Sequence, residues 1–437
     1  MLAATLLVMG QALPAEAVTC SFDGGARRVA IQLSGTSTVT RGGGGEIVVD
    51  GTACGLATTS NTDLIVVSGT AGSGDMLVVD VGQGQFEPGA TAETQGTSDM
   101  EFEVKLEGDG GDSVAFSGGQ NDDTLVVGDA GALLNADPDV DVTFTGVGGA
   151  GLRGQGGNDV LVGTGGQDAG GPTPLPLEIQ GGDGGDLLTG GSADDRLAGG
   201  PGEDTLDGQA GSDHLDGQED RDTVSYAVSP EKQRVKLWAG EATGWGTDAV
   251  LRFENVVGSP NGDRIEGDNQ ENRIFGGAGR DRITGVEADD DLLGGNGKDF
   301  FKAGIGDYTV IGGLGVDTYT LRSSRVPVQI NLKKHTALGQ GTDLVLECEN
   351  GVGGRSDDRV TGTGGRNHRL VGGKGEDVVR GLGGPDRLRG GHGDDVLIAG
   401  GGEDELRGTG GDDKLFGGPG HDLCLQGGGT GSSKSCP

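Results

Sequence analysis

A nine-residue repeat constrains this chain more than any other feature of its sequence. Clean copies, such as those that begin at Gly181 and Gly276, follow the pattern GGxGxDxUx, in which U is a large apolar residue. A fixed short period of this kind is typical of solenoids, whose coils stack on one another instead of surrounding one central core. The repeat keeps its phase through three arrays, residues 154–225, 258–320 and 353–425.

An oxygen-bearing side chain fills position six of nearly every repeat. Asn272 and Asn367 stand there in two repeats, whereas Leu177 and Tyr308 interrupt the pattern. A polar surface row without a chemical task would vary more. The aspartates at position six, which we predict to bind metal ions, are Asp159, Asp168, Asp186, Asp195, Asp204, Asp213, Asp222, Asp263, Asp281, Asp290, Asp299, Asp317, Asp358, Asp377, Asp386, Asp395, Asp404, Asp413 and Asp422.

The chemistry of one repeat shows why these residue types recur. Glycines at positions one, two and four admit positive φ angles and let backbone carbonyl oxygens turn toward an ion. The U residue lies in a short strand and points into the solenoid, so each repeat supplies one core residue. Burying one Leu or Ile contributes about 1.5–3 kcal/mol, whereas ordering nine backbone units costs about 1–2 kcal/mol each. Apolar burial alone therefore cannot fold such a repeat.

Composition and charge point to a cationic partner. Hydrophobic residues make up 32% of the chain and aromatic residues 3%, which is too little for one large globular core. The net charge of −36 opposes binding to nucleic acid or to anionic membranes. Stacked aspartates about 4 Å apart repel by about 4 kcal/mol at an effective dielectric near 20. Ca²⁺, which accepts about six to eight oxygen ligands in tolerant geometry, suits these turns better than octahedral Mg²⁺.

The repeat resembles the RTX, or haemolysin-type, calcium-binding nonapeptides of secreted bacterial proteins. The resemblance implies an all-β fold, a right-handed parallel β-roll in which two nonapeptides make one coil. It also implies that several Ca²⁺ ions lie between turns eighteen residues apart, held by turn carbonyls and by aspartates such as Asp386 and Asp404. Residues 181–225 and 372–425 have an aspartate in every repeat, so we expect the middle array to be weaker. Asp263 begins that array, where we expect no preceding coil of the same phase.

The two interruptions of the repeat are copies of each other. Alternating apolar residues predict that each one forms a pair of short strands around a Gly-rich turn. Cys348 takes the place of Phe253, so we expect it to be a buried thiol. The matching residues, at a constant offset of 95, include Asp222 with Asp317, Asp248 with Asp343, and Glu254 with Glu349.

The two ends of the chain differ from the repeats. Residues 1–17 are apolar and end in a small-residue motif, which predicts a secretory signal peptide. No other stretch is long and apolar enough for a transmembrane segment. Residues 18–150 predict a separate irregular β-rich domain, either another solenoid or a small sandwich.

The cysteines fit an oxidising compartment. The simplest pairing joins Cys20 to Cys54 and Cys424 to Cys436, which leaves Cys348 free. We therefore predict the following segments: 1–17 signal peptide, 18–150 irregular β-rich domain, 151–225 first array, 226–257 excursion, 258–320 second array, 321–352 duplicate excursion, and 353–437 third array.

The sequence contains no recognisable catalytic motif apart from strings that the repeat itself generates. The chain has neither HExxH nor GxSxG, and its GxGxxG strings fall within the nonapeptides. We therefore predict no enzyme, but a secreted, extracellular and monomeric calcium-binding protein with a structural or adhesive role, whose partner beyond calcium is unknown. The alternative is that residues 18–150 form a small enzyme or ligand-binding module. In that case the roll serves as its calcium-dependent folding and export appendix.

Overall fold

The computed structural model is built almost entirely of short β-strands. It describes residues 18–69, 74–82, 101–106, 111–134, 141–166, 169–434 and 436. The predicted signal peptide and Asp168 lie outside these residues. The chain divides into two compact units, residues 1–200 and 201–437.

The first unit contains two sheets of mostly parallel strands. Its strands are β1 (Thr19–Asp23), β2 (Arg28–Gln32), β3 (Thr36–Arg41), β4 (Glu46–Val49), β5 (Thr52–Thr58), β6 (Leu64–Ser68), β7 (Met76–Asp80), β8 (Glu101–Lys105), β9 (Ser113–Ser117), β10 (Thr124–Val127), β11 (Ala132–Leu133), β12 (Val142–Thr145), β13 (Gly149–Gly156), β14 (Val160–Val162), β15 (Leu177–Asp183), β16 (Leu187–Thr189) and β17 (Arg196–Pro201).

Long coils of this unit lead directly into the short coils of the repeat. In one sheet β2, β6, β8 and β12 pair in parallel, with Val29 opposite Ile65 and Ile65 opposite Phe102. In the other sheet β3, β7, β9, β13 and β15 do the same. Residues 18–150 therefore contain a solenoid, the first of the two folds expected there. The parallel ladder crosses residue 150 without a break, since β9 pairs with β13.

The second unit also consists of two sheets of mostly parallel strands. Its strands are β18 (Thr205–Asp207), β19 (His214–Glu219), β20 (Thr223–Ser225), β21 (Arg234–Lys236), β22 (Glu241–Thr243), β23 (Thr247–Leu251), β24 (Asn255–Val257), β25 (Arg264–Glu266), β26 (Arg273–Gly279), β27 (Arg282–Thr284), β28 (Asp291–Gly297), β29 (Phe300–Lys302), β30 (Thr309–Gly315), β31 (Thr318–Thr320), β32 (Gln329–Asn331), β33 (Thr336–Leu338), β34 (Thr342–Leu346), β35 (Asn350–Val352), β36 (Arg359–Thr361), β37 (Leu370–Lys374), β38 (Val378–Gly383), β39 (Arg387–His392), β40 (Val396–Gly401), β41 (Glu405–Gly410), β42 (Lys414–Phe416), β43 (Leu423–Gly428) and β44 (Ser432–Lys434).

Two repeats make one coil of this unit, as the resemblance implies. Strands alternate between the sheets, and each strand pairs in parallel with the strand one coil later, as Ile274 does with Leu292 and Ile283 with Phe301. All four of these U residues are fully buried between the sheets. The fold is therefore a β-roll whose core is one apolar side chain per repeat.

Each excursion is a three-stranded antiparallel meander. Strands β21, β22 and β23 pair in this way in the first copy, and β32, β33 and β34 in the second. The prediction of two strands was therefore wrong by one strand. Leu237 does not alternate with Val235 in a strand, because a short 3₁₀ turn, Leu237–Ala239, follows β21 at that point. The outer strands of each meander rejoin the parallel ladder on both sides.

The cysteines pair as expected. Cys20 on β1 is bonded to Cys54 on β5, and Cys424 on β43 is bonded to Cys436. Cys348 is free and buried. Burial, with nearby carboxylates such as Asp317, raises the pKa of the Cys348 thiol well above its usual range. This agrees with its predicted role as a small core residue.

Candidate metal centre in the turns

The position-six aspartates form ladders from coil to coil. The backbone N–H of Asp281 donates to Oδ1 of Asp299 at 2.9 Å, and the N–H of Asp299 donates to Oδ1 of Asp317 at 2.7 Å. Asp386 and Asp404 are joined in the same way at 2.8 Å. Because consecutive repeats turn at opposite edges of the roll, the ladders form two columns, one along each edge. Each of these three steps spans eighteen residues, the spacing that the sequence predicts.

The second carboxylate oxygen of most of these residues is buried without a hydrogen bond. Oδ1 accepts the ladder bond, whereas Oδ2 points into the turn of its own repeat. A buried polar atom without a partner is unfavourable and is expected to have a ligand. Among the described residues, Oδ2 lacks a hydrogen-bond partner in Asp159, Asp222, Asp281, Asp299, Asp317, Asp377, Asp386, Asp395, Asp404, Asp413 and Asp422.

Glycine at position one leaves room beside this oxygen. A Cβ atom placed on Gly276 would lie 2.7 Å from Oδ2 of Asp281 and 2.8 Å from the carbonyl oxygen of Gly294, one coil later. Both contacts are closer than any real Cβ tolerates, so only glycine fits. A carboxylate oxygen and a backbone carbonyl oxygen therefore border the same small space, and such oxygens are the ligands that Ca²⁺ prefers.

Burial raises the pKa of the aspartates in the columns. The pKa values of Asp281, Asp377 and Asp395 rise to about 7, because desolvation outweighs the stabilising hydrogen bond from the preceding coil and the next aspartate adds repulsion. A bound divalent cation would remove this penalty by neutralising the carboxylates.

Not every predicted ligand has a free oxygen. Oδ2 of Asp263 accepts the backbone N–H of Ser259 at 2.6 Å, within its own turn. Asp195 and Asp358 are capped in the same way by the N–H at position two. In these three repeats position four is Ala193, Asn261 or Ser356 instead of glycine. The sequence carried this signal, because position four of the open turns, such as Gly279, has a positive φ that favours glycine.

The expectation that no coil precedes Asp263 in phase was wrong. The backbone N–H of Gln233, at the start of the first excursion, donates to Oδ1 of Asp263 at 2.7 Å. Val328 does the same for Asp358 in the second copy, at 2.8 Å. The excursions thus supply the ladder bond that a preceding repeat would supply.

The excursions also contribute acidic residues that the sequence analysis did not assign. Glu254 accepts the N–H of Asp222 at 3.0 Å, and Glu349 accepts that of Asp317 at 2.9 Å. Asp343 accepts the N–H of Tyr308, as Asp248 accepts that of Asp213, both at 3.1 Å. Their recurrence in both copies of the excursion was the signal that could have identified them.

The carboxylate ladder also begins earlier than predicted. The N–H of Asp123 donates to Oδ1 of Asp159, and that of Asp159 donates to Oδ1 of Asp186, both at 2.7 Å. Asp75 and Asp112 form a similar step at 2.8 Å. The nine-residue period does not reveal these steps, because the coils there are longer than eighteen residues.

Side chains alone do not build a metal cage in this fold. Within the part of the chain that the structure describes, no three His, Cys, Asp or Glu side chains converge into a metal-binding cluster. A cation in the turns would therefore depend on backbone carbonyls as well as on one carboxylate from each coil. This is the donor set that glycine-rich turns provide.

A family model for the RTX calcium-binding nonapeptide repeat matches several parts of the chain. The matched residues are 152–169, 178–206, 189–224, 257–286, 284–319, 371–406 and 398–431. The chain carries RTX calcium-binding repeats. The resemblance drawn from the sequence is confirmed, and the β-roll is the fold expected of RTX repeats. No curated protein matches the chain, and none of the helices that the structure describes could cross a membrane.

Proposed function

We propose that this RTX-repeat chain is an extracellular structural or adhesive protein whose β-roll folds when Ca²⁺ binds its turns. The observation that carries the proposal is the buried Oδ2 atom without a partner, repeated along both columns of turns. Cations in the turns would satisfy these oxygens and cancel the repulsion between successive aspartates. A chelated chain retains that repulsion, which opposes stacking of the coils.

The position-six aspartates are the proposed ligands, one from each of two successive coils. Turn carbonyls, such as that of Gly294 beside Asp281, would complete the oxygen shell. Asp195, Asp263 and Asp358 are expected to bind most weakly, since hydrogen bonds within their own turns already occupy Oδ2. Ca²⁺ supplies positive charge and tolerant coordination here, and no chemical reaction is required of it.

A structural role fits the rest of the chain. The described strands of residues 18–145 extend the parallel coils, and their alternate residues are buried, as in β7 and β8. Two disulfides and the signal-like residues 1–17 favour an oxidising compartment outside the cell. N-terminal sequencing of the protein from culture medium tests secretion, with cleavage after Ala17 as the expected result. A chain found only inside the cell would contradict it.

Equilibrium dialysis with calcium, combined with limited proteolysis, tests the calcium proposal. Several ions should bind per chain, and the arrays should resist a protease in calcium but be cleaved rapidly in excess chelator. An equal concentration of Mg²⁺ is the control, since its octahedral preference fits carbonyl-rich turns poorly. Equal protection in chelator and in calcium would overturn the proposal.

A further inference from the structure

One cleft of this acidic protein is lined by cations. It lies where the second excursion meets the third array, has a volume of about 450 Å³, and has Val352 and Val371 among its lining residues. None of its lining residues is an aspartate or a glutamate. The cationic cleft, as we call it, has six basic side chains, Arg322, Arg355, Arg369, Lys374, Arg389 and His392, all of them exposed.

The cations follow the axis of the roll. The N–H of Arg355 donates to Ser324, beside Arg322, at 3.0 Å, and the N–H of Lys374 donates to the carbonyl of Gly354 at 3.3 Å. Lys374 is in turn paired in register with His392. Since neighbouring strands of a sheet are about 4.8 Å apart, Arg322, Arg355 and Lys374 follow one another from coil to coil. Arg389 lies in register with Val371, on the strand that follows Arg369.

The basic side chains of the cationic cleft do not stabilise the roll through ion pairs with the residues that the structure describes. None of the six side chains forms an ion pair with a described residue, whereas the nearby Arg387 and Arg407 both pair with Glu405. The repeat does not require them either. In the duplicated second array, position three of the turns is occupied by Pro260, Ala278 and Asn296.

We propose that the cationic cleft binds an acidic polysaccharide, whose sulfate or carboxylate groups lie along successive coils. Arginine recognises such oxyanions with two parallel hydrogen bonds. A linear polymer with regularly spaced charges matches a linear row of cations better than a single small anion does. The net charge of −36 does not prevent this contact, because charges farther away than about 8 Å are largely screened at physiological salt.

Nucleic acid fits the cleft less well. Single-stranded nucleic acids are held by aromatic side chains on which the bases stack, and no Phe, Tyr or Trp lines the cleft. The inference rests on the proposed extracellular location, where such polysaccharides occur. Because the test uses purified protein, its outcome is independent of whether the chain is secreted or needs calcium to fold.

The test measures binding of the full chain, in calcium and physiological salt, to heparin, oligogalacturonate, neutral dextran and duplex DNA. A triple variant, Arg355→Ala with Lys374→Ala and Arg389→Ala, removes three of the positive charges that line the cleft. The matched control, Arg359→Ala with Arg380→Ala and Lys414→Ala, removes three exposed cations from the other sheet of the same array. Circular dichroism of each variant verifies that the roll is intact.

Heparin, oligogalacturonate or both should bind the wild-type chain, with the sulfated and carboxylated probes showing which oxyanion is preferred. The cleft variant should lose about tenfold in affinity and the control variant should lose little, since each exposed ion pair contributes modestly. Equal losses in both variants would indicate calcium bridging to the acidic turns and would overturn the proposal. Absence of binding, equal binding of dextran, or tighter binding of duplex DNA would overturn it as well.

Discussion

The backbone N–H of Asp377 donates to Oδ1 of Asp395 at 2.9 Å, while Oδ2 of each aspartate is buried without a hydrogen bond. One oxygen therefore fixes the register of neighbouring coils, and the other is left for a cation. Most aspartates in both columns of turns divide their two oxygens in this way. The ladder therefore holds neighbouring coils together and also offers oxygens to a cation.

Asp395 should matter more for calcium than Asp263. Replacing Asp395 by Ala removes both the acceptor for Asp377 and the free oxygen, and should destabilise the calcium-bound roll by about 1–3 kcal/mol. Asp395→Asn keeps the acceptor and should cost less in the absence of calcium. Asp263→Ala also removes a ladder acceptor, that of the Gln233 N–H, but its second oxygen is already occupied by Ser259. The number of bound calcium ions should therefore fall for Asp395→Ala and stay unchanged for Asp263→Ala, as equilibrium dialysis measures. An equal loss of ions in both variants would contradict this division of the turns.

Acid should partly replace calcium. The folded-state pKa values of Asp281, Asp377 and Asp395 are raised to about 7 by burial, from an ordinary value of 3.8. Between these values the calcium-free folded chain holds more protons than the unfolded chain, so its stability falls as the pH rises through this window.

Far-UV circular dichroism in chelator should accordingly show more β-structure near pH 5 than near pH 7.5, where about pH 4 to about 7 is the sensitive range. Replacing the three aspartates together by Asn should reduce this dependence, because the amide does not titrate, while other raised aspartates such as Asp222 and Asp290 keep part of it. A chelated wild-type chain whose β-signal is constant across the window would show that the raised pKa values do not control folding.

In each excursion a tyrosine hydroxyl donates a hydrogen bond to the second carboxylate oxygen of the aspartate, Asp248 or Asp343. Tyr226 donates to Oδ2 of Asp248 at 3.0 Å, and Tyr319 donates to Oδ2 of Asp343. The two tyrosines are not at matching positions, because the residues at the offset of 95 are Leu321 and Val224. Two different positions thus provide the same hydrogen bond, which indicates that these aspartates are satisfied without a cation.

Tyr319→Phe should leave a buried carboxylate oxygen unpartnered and lower the free energy of unfolding by about 1–3 kcal/mol, with the number of bound ions unchanged. Restoring the arrangement of the first copy, with Tyr319→Val and Leu321→Tyr together, should recover part of the loss. Chemical denaturation and calcium dialysis measure the two quantities. Loss of a bound ion in Tyr319→Phe would show that Asp343 is a metal ligand after all.

The cysteines should differ in reactivity. Cys348 is buried and its thiol has a raised pKa, so it should resist alkylation in the folded chain and react only after unfolding. Peptide mapping without reduction should recover Cys20 with Cys54 and Cys424 with Cys436. Rapid labelling of Cys348 in calcium, or its recovery in a crosslinked peptide, would contradict the structure.

Much of the fold could be predicted because the repeat encodes it locally. The period gives the coil, the U residues such as Ile274 and Leu292 give the core, and position six gives the ladder between Asp386 and Asp404. The coil, the core and the ladder recur with the repeat, so the pattern of a single repeat is enough to predict all three.

The exceptions depend on contacts that no local pattern specifies. Glu254 and Glu349 follow the three-stranded meanders and accept hydrogen bonds from the backbone of Asp222 and Asp317. The number of residues between each Glu and its Asp depends on the fold of the excursion, which the repeat does not specify. The second oxygen of Asp263 is not free, because the turn with Asn261 at position four lets the N–H of Ser259 donate to it. The segment boundaries, including the one at residue 150, remain predictions.

Circular dichroism of the purified chain during a calcium titration tests the central claim most directly. In excess chelator at neutral pH the repeat arrays should lack most of their β-signal, and added Ca²⁺ should restore it cooperatively, because the ion binds the folded roll and not the unfolded chain. The midpoint should lie near 10⁻⁴ to 10⁻³ M, as is typical of extracellular calcium modules. A full β-spectrum in chelator at neutral pH, unchanged by calcium, would contradict the account.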